Sequence, residues 1–126
     1  PAALNKNIIF ENKYPDKTIV SDSTVILRIL SNMITNALEA SENGESIKIS
    51  AIGKNGTIEF MVWNAKPIPE DVRKRIFQRN FSTKQSVGRG LGTYSMKLFG
   101  EKILGGKVSF TSSSKYGTTF KFSLDL

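Results

Sequence analysis

The sequence predicts an α+β fold: a two-layer sandwich in which one mostly antiparallel sheet is covered on one face by three helices. Two observations carry this. Strand-like segments come in pairs with helix-like segments grouped between them, in the order ββα ββ α α ββ, whereas a doubly wound parallel sheet alternates strands and helices singly. The length of 126 residues, 39% of them hydrophobic, suits one core and is short for two. The reading is therefore a single domain over 1–126, without internal repeats or low-complexity segments.

The elements follow in order. Residues 7–12 and 17–21 read as short strands divided by a turn at Pro15-Asp16. Ser21, Asp22 and Ser23 offer N-caps to a helix over 25–40, whose apolar residues at 26, 29, 30, 33, 37 and 40 recur at helical spacing. Asn43-Gly44 supplies its stop. Residues 46–52 and 57–63 alternate as strands around Asn55-Gly56, the strongest hairpin signal in the chain. Pro69, Glu70 and Asp71 open a helix ending near Gln78, since proline suits the first turn and acids suit the positive end of the dipole. A Ser/Thr/Gly-containing loop over 81–90 leads into a third helix from Leu91 to Leu104, stopped by Gly105-Gly106. Strands at 107–112 and 118–125, joined at Tyr116-Gly117, complete the pattern.

Composition removes several function classes. The chain has no cysteine and no histidine. Disulfides, thiol chemistry, imidazole metal sites, a histidine base and a phosphorylated histidine are thus excluded from it. No apolar run approaches the roughly 18–20 residues of a membrane span, and the opening residues do not read as a signal peptide. No membrane contact and a cytoplasmic location are expected, with the anchoring of any longer parent left open. Ten of the 18 basic residues but only three of the 11 acids fall within 66–107, so the net charge of +7 resides in that stretch. Such a field favours a polyanionic ligand or an acidic partner, or else is a solvated basic face. Phe77, Phe81, Tyr94 and Phe99 sit at core-like spacings. They offer no evident stacking platform for bases, and no nucleic-acid partner is expected.

Two clusters carry chemistry. Asn32 and Asn36, four apart, share one side of the first helix. Asparagine is a poor helix former, and two on the buried side need partners. An amide oxygen is a neutral hard ligand that suits hydrated Mg²⁺. Asn32 has the other reading of a bond to a neighbouring strand. The second cluster is Phe81-Ser82-Thr83-Lys84 followed by Gly88-Arg89-Gly90-Leu91-Gly92. Its hydroxyls, ammonium and guanidinium are phosphate donors, and glycines opening a helix let backbone N–H groups approach an anion. The spacing is not that of a Walker motif. A flexible loop would have the same composition, and Gly117-Thr118-Thr119 reads equally as a hairpin turn.

In combination, however, these pieces resemble a family. The order Asn-x₃-Asn-Ala, Ile68-Pro69, Ile76-Phe77, Phe81 to Lys84, Gly88 to Gly92 and Gly117-Thr118-Thr119-Phe120 looks like the ATP-binding catalytic domain of sensor histidine kinases. That domain belongs to the GHKL superfamily, with gyrase-type ATPases and anti-sigma-factor kinases. The resemblance spans about Asp22 to Leu126 and implies the Bergerat fold, a mixed sheet backed by three helices that holds Mg-ATP under a lid. It implies Asn36 as the Mg²⁺ ligand, and Phe77 and Phe81 as the F-box pair. Residues 82–90 correspond to the lid, Gly90, Leu91 and Gly92 to the second glycine box, and Thr118 and Thr119 to the third. Ile68 belongs to the same nucleotide-binding set.

The departures bear on mechanism. Hydrolysing relatives place a water-activating glutamate where this chain has Asn32, and an amide is no general base at neutral pH. Asn32 and Asn36 are thus the expected residues at the chemistry, in a site that positions ATP for transfer to a partner. The first glycine box is reduced to Asn64-Ala65-Lys66-Pro67-Ile68-Pro69. Its aspartate aligns with Asn64 through Val62, or with Trp63 through Ile68-Pro69. Asn64 is preferred because its amide can accept from the adenine N6 amine, although an amide that both accepts and donates is expected to read the purine less strictly than a carboxylate. Glu39 stands where many kinases carry a phosphate-contacting base.

The implied function is transfer of the ATP γ-phosphoryl to a histidine outside this chain. The implied partners are a phosphoacceptor-histidine domain and a response regulator, with a homodimeric parent. The chain opens on Pro1 without an initiator Met, which predicts a fragment of a larger kinase. A serine kinase of the anti-sigma-factor type and a degenerate, non-catalytic docking module remain open alternatives.

Overall fold

Period-2 alternation sorts the last two strands into an apolar and a polar side, and all five strands join in one sheet. The computed structural model describes residues 7–13, 23–78 and 90–125. Strands β1 (Asn7–Lys13), β2 (Ser46–Lys54), β3 (Thr57–Asn64), β4 (Lys107–Ser113) and β5 (Gly117–Asp125) lie in the order β1-β2-β3-β5-β4. The three pairings among β2, β3, β5 and β4 are antiparallel. β1 pairs parallel with β2, Asn7 opposite Ser46. A parallel pair needs a crossover, and α1 (Ser23–Ala40) lies between the two strands in sequence. The strand expected at 17–21 lies outside the described residues.

One face of the sheet buries Ile47, Ile58, Val62, Val108, Phe120, Phe122 and Leu124 beneath the helices. The other carries side chains such as Glu59 and Lys121, whose charged atoms are 3.9 Å apart. α1 contributes Ile29, Met33 and Ala37 to the core, one residue per turn along one stripe. It stops as expected: the Ser41 hydroxyl donates to the Ala37 carbonyl at 2.7 Å, and the chain turns through Gly44. Between β2 and β3, Asn55 and Gly56 both have positive φ (52° and 79°), the type I′ geometry that matches strand twist.

Two helices differ from expectation. The helix expected to end near Gln78 is only α2 (Glu70–Arg73). Tighter turns follow, with Arg75 N–H donating to Val72 and Gln78 N–H to Arg75. α2 buries no residue, so no apolar stripe extends it. The chain instead turns Phe77 edge-on against Phe110 and Phe120, at centroid distances of 5.7 and 6.1 Å. The helix expected over 91–104 is α3 (Gly90–Lys97) continued as a π-helical segment, Leu98–Ile103. Leu104 N–H reaches back five residues to Phe99.

Candidate functional site

The first part of the site is a polar knot where β3 and β5 end. Asn64 and Thr118 are register partners, both turned to the helix side and almost wholly buried. Just after β3 the chain brings the Lys66 carbonyl over this pair. Asn64 Nδ2 donates to it at 3.2 Å and Thr118 Oγ1 at 2.8 Å. Ser112 Oγ lies 2.8 Å from Thr118 Oγ1 and accepts from Ile68 N–H at 2.7 Å. Arg73 Nε donates to the Ile68 carbonyl at 2.8 Å, so Ile68 is held at both ends of its backbone. In place of the glycines of a full first box, this chain holds its 64–68 turn with side-chain hydroxyls and a guanidinium.

Gly117 belongs to this knot and is more than a hairpin residue. It has φ +78°, and a Cβ there would run into the Asn64 carbonyl and lie 3.0 Å from Ala65 Cα. The close approach of β5 to Asn64 therefore requires glycine. Alternation also separates neighbours in sequence. Trp63, beside Asn64, projects to the other face, where its indole N–H donates to the Tyr116 carbonyl at 2.6 Å. Thr119 pairs with Trp63 and shares that face. The strand thus gathers Thr118 but not the Thr119 side chain with Asn64 and Ile68.

The second part lies on α1. Asn36 is half-buried beside core residue Ala37, and its Nδ2 is buried without a hydrogen-bond partner. Asn32 is half-buried one turn earlier, is hydrogen-bonded or in contact with other groups, and shares that side of the helix. Glu39 is likewise engaged. Among the described residues no three His, Cys, Asp or Glu side chains converge as a metal cage. A cation here would be held by neutral amide and ligand phosphates, which fits Mg²⁺ better than a metal needing an all-protein shell.

The third part is α3, which opens at Gly90 and carries Leu91 and Gly92 in its first turn, where unpaired N–H groups gather. α3 and α1 pack against each other, which brings the two helices into one layer. Phe77 anchors the turn after α2 in the aromatic core. Phe81, Ser82, Thr83, Lys84, Gly88 and Arg89 lie outside the described residues. Sequence reasoning missed Ser112 and Arg73. Ser112 is 44 residues from Ile68 in the chain, and a serine in a Ser/Thr-rich strand end carries no local signal of that bond.

The chain is similar to known proteins over nearly its whole length. The model of the histidine kinase-, DNA gyrase B- and HSP90-like ATPase family matches residues 21–126. A probable C4-dicarboxylate sensor kinase of Halalkalibacterium halodurans is 30% identical over 116 residues, 88% of this chain and 21% of the relative. The heme sensor protein HssS of Staphylococcus aureus is 28% identical over 125 residues, 98% of this chain and 27% of the relative. The chain thus spans about a fifth to a quarter of the curated relatives it matches. The nucleotide-free catalytic domain of histidine kinase ThkA superposes with a TM-score of 0.84 at 32% identity, over 96% of this chain and 79% of that one. ThkA in complex with response regulator protein TrrA gives 0.80 at 29%, over 96% of this chain and 34% of that one. The α/β sandwich and these likenesses agree: the chain belongs to the histidine kinase-, DNA gyrase B- and HSP90-like ATPase family, as an ATP-binding domain of the histidine kinase kind.

Proposed function

We propose that residues 1–126 are a catalytic domain that binds Mg-ATP and transfers its γ-phosphoryl to a histidine outside this chain. The observation that carries the reading is the buried, unpartnered Nδ2 of Asn36. Leaving a buried N–H donor unpaired costs about 1–3 kcal/mol, a cost that an acceptor such as a phosphate oxygen or a metal-bound water relieves. Asn64 supplies the base contact: with Nδ2 held by Lys66, its Oδ1 is the acceptor for the adenine amine. The opening turn of α3 supplies N–H groups and a positive dipole end for the phosphates. The Asn36 Oδ1 would hold Mg²⁺, which when bound supplies neutralisation of the phosphate charge. Phe81, with Phe77 as the F-box pair, and Ser82, Thr83, Lys84, Gly88 and Arg89 are proposed as further nucleotide contacts on their resemblance to the family's motifs; Phe81 to Arg89 lie outside the described residues.

Asn32 decides between transfer and hydrolysis. A carboxylate at this position could take a proton from water, but an amide cannot. An imidazole brought by a partner is already a nucleophile and needs only in-line placement. The chain has no histidine, so the acceptor is external. The relatives are sensor kinases several times longer, and ThkA has been seen with a response regulator. A dimeric parent carrying the acceptor domain, and a response regulator, are accordingly the partners proposed here. The described helices include none long and apolar enough to cross a membrane.

The test is to mix the chain with labelled Mg-ATP and the histidine-bearing segment of its parent. Acid-labile, alkali-stable label on that segment is expected. Acid-stable label would instead mean a serine kinase, and ATP binding without transfer would mean a docking module.

A further inference from the structure

Hydrogen bookkeeping gives the knot a direction. Thr118 has one hydroxyl proton, and it goes to the Lys66 carbonyl. In the 2.8 Å contact between Ser112 and Thr118 the proton therefore comes from Ser112, whose oxygen in turn accepts from Ile68 N–H. The chain runs one way: Ile68 N–H to Ser112, Ser112 to Thr118, Thr118 to Lys66 O. The Lys66 carbonyl then takes its second bond from Asn64 Nδ2. Both its acceptor positions are filled.

This bears on what Asn64 can offer a base. An asparagine amide reads either a donor or an acceptor by flipping. Here a flip would set Oδ1 against the Lys66 carbonyl, two acceptors about 3.2 Å apart with Asn64 buried. We infer that Ser112 is a specificity-positioning residue. By holding Thr118 and the Ile68 peptide, it fixes the Lys66 carbonyl that locks the Asn64 amide with Oδ1 outward, so that the site selects 6-aminopurines over 6-oxopurines. The inference rests on the nucleotide site proposed above, and gives its reduced glycine box the strictness that a free amide would lack.

The experiment is Mg²⁺-supported competition between ATP and ITP, which differ at the purine 6-position, in wild type, Ser112→Ala and Ser112→Thr. Wild type should prefer ATP. Ser112→Ala should lose about five-fold of that preference, the scale of one hydrogen bond, and Ser112→Thr should restore it. A merely structural serine would weaken both nucleotides alike, and an unchanged ratio overturns the inference. So does a wild type that binds both equally. A wild type that binds neither overturns the nucleotide site itself, and the inference with it. Wild type also permits a test without substitution: one Asn64 side-chain N–H should exchange with solvent more slowly than the other, and equal exchange counts against the lock.

Discussion

The Lys97 ammonium lies 4.9 Å above the centre of the Phe77 ring. Lys97 is in the last turn of α3, whose first turn carries Gly90 and Gly92, and Phe77 is the aromatic anchor of the turn after α2. One side chain thus ties the C-terminal end of α3 to Phe77. Lys97→Met keeps the alkyl stem and removes the charge. Because the ammonium is partly exposed, the expected loss is about 0.5–1 kcal/mol in urea unfolding. No loss would mean that the stem's packing, not the charge, holds α3.

Glu101 completes this brace. Its Oε2 accepts from Lys97 Nζ at 3.3 Å and from the Val108 N–H at 3.1 Å, joining the π-helical segment to β4. Burial pushes the carboxyl pKa up, but the Val108 N–H, the Lys97 hydrogen bond and the charges of Lys97 and Lys102 outweigh it, so the net shift is downward. A lowered folded pKa means that the unfolded chain binds the proton more readily. The contribution is present above the ordinary glutamate value and is lost as pH falls through the lowered one. Glu101→Gln should lower stability at neutral pH and flatten its fall in that acidic window. Thermal unfolding against pH checks both, and an unaltered acid limb would show that other carboxylates dominate it.

Gly117→Ala tests the approach of β5 to the turn after Asn64. Alanine at φ +78° costs about 1–2 kcal/mol from backbone strain alone. Its Cβ also meets the Asn64 carbonyl, so the strands must separate at the proposed base site. Both the melting temperature and ATP affinity should drop. A stable variant with normal affinity would mean that the turn relaxes without moving Asn64.

The local elements were legible from sequence because their causes are local. The φ signs of Asn55-Gly56, the apolar stripe of α1 and the alternation of β3 each follow from neighbours in the chain. Where residues answer to distant partners, sequence reasoning fell short. The helix after Pro69 stops early because Phe77 turns onto Phe110 and Phe120, and the third helix widens into a π segment between α3 and β4. Motif matching brought Thr118 and Thr119 forward together, while strand alternation sends their side chains to opposite faces. It found Asn64 but not the Lys66 carbonyl that fixes its amide, because a backbone acceptor has no sequence signature.

Asn64→Asp would restore the aspartate of the full family motif, yet here it should do harm. The carboxylate cannot donate to Lys66 O and would face it as a second acceptor in a buried setting. The expected cost is about 1–3 kcal/mol of stability. Urea unfolding with and without ATP measures it. A stabilised variant would show that the Lys66 carbonyl moves aside freely.

Asn36→Ala separates ligand binding from folding by sign. In the free protein Asn36 buries a donor that has no partner, and asparagine is a weaker helix former than alanine. Removing it should stabilise the nucleotide-free chain by about 1 kcal/mol. The same change removes the amide proposed to hold Mg²⁺, so the extra ATP affinity gained with Mg²⁺ should vanish while the metal-independent part persists. Thermal unfolding without ligand, and calorimetric titration of ATP with and without Mg²⁺, read the two effects separately. A variant that is less stable when free would show that Asn36 serves the fold. One that keeps the full Mg²⁺ dependence would place the metal elsewhere.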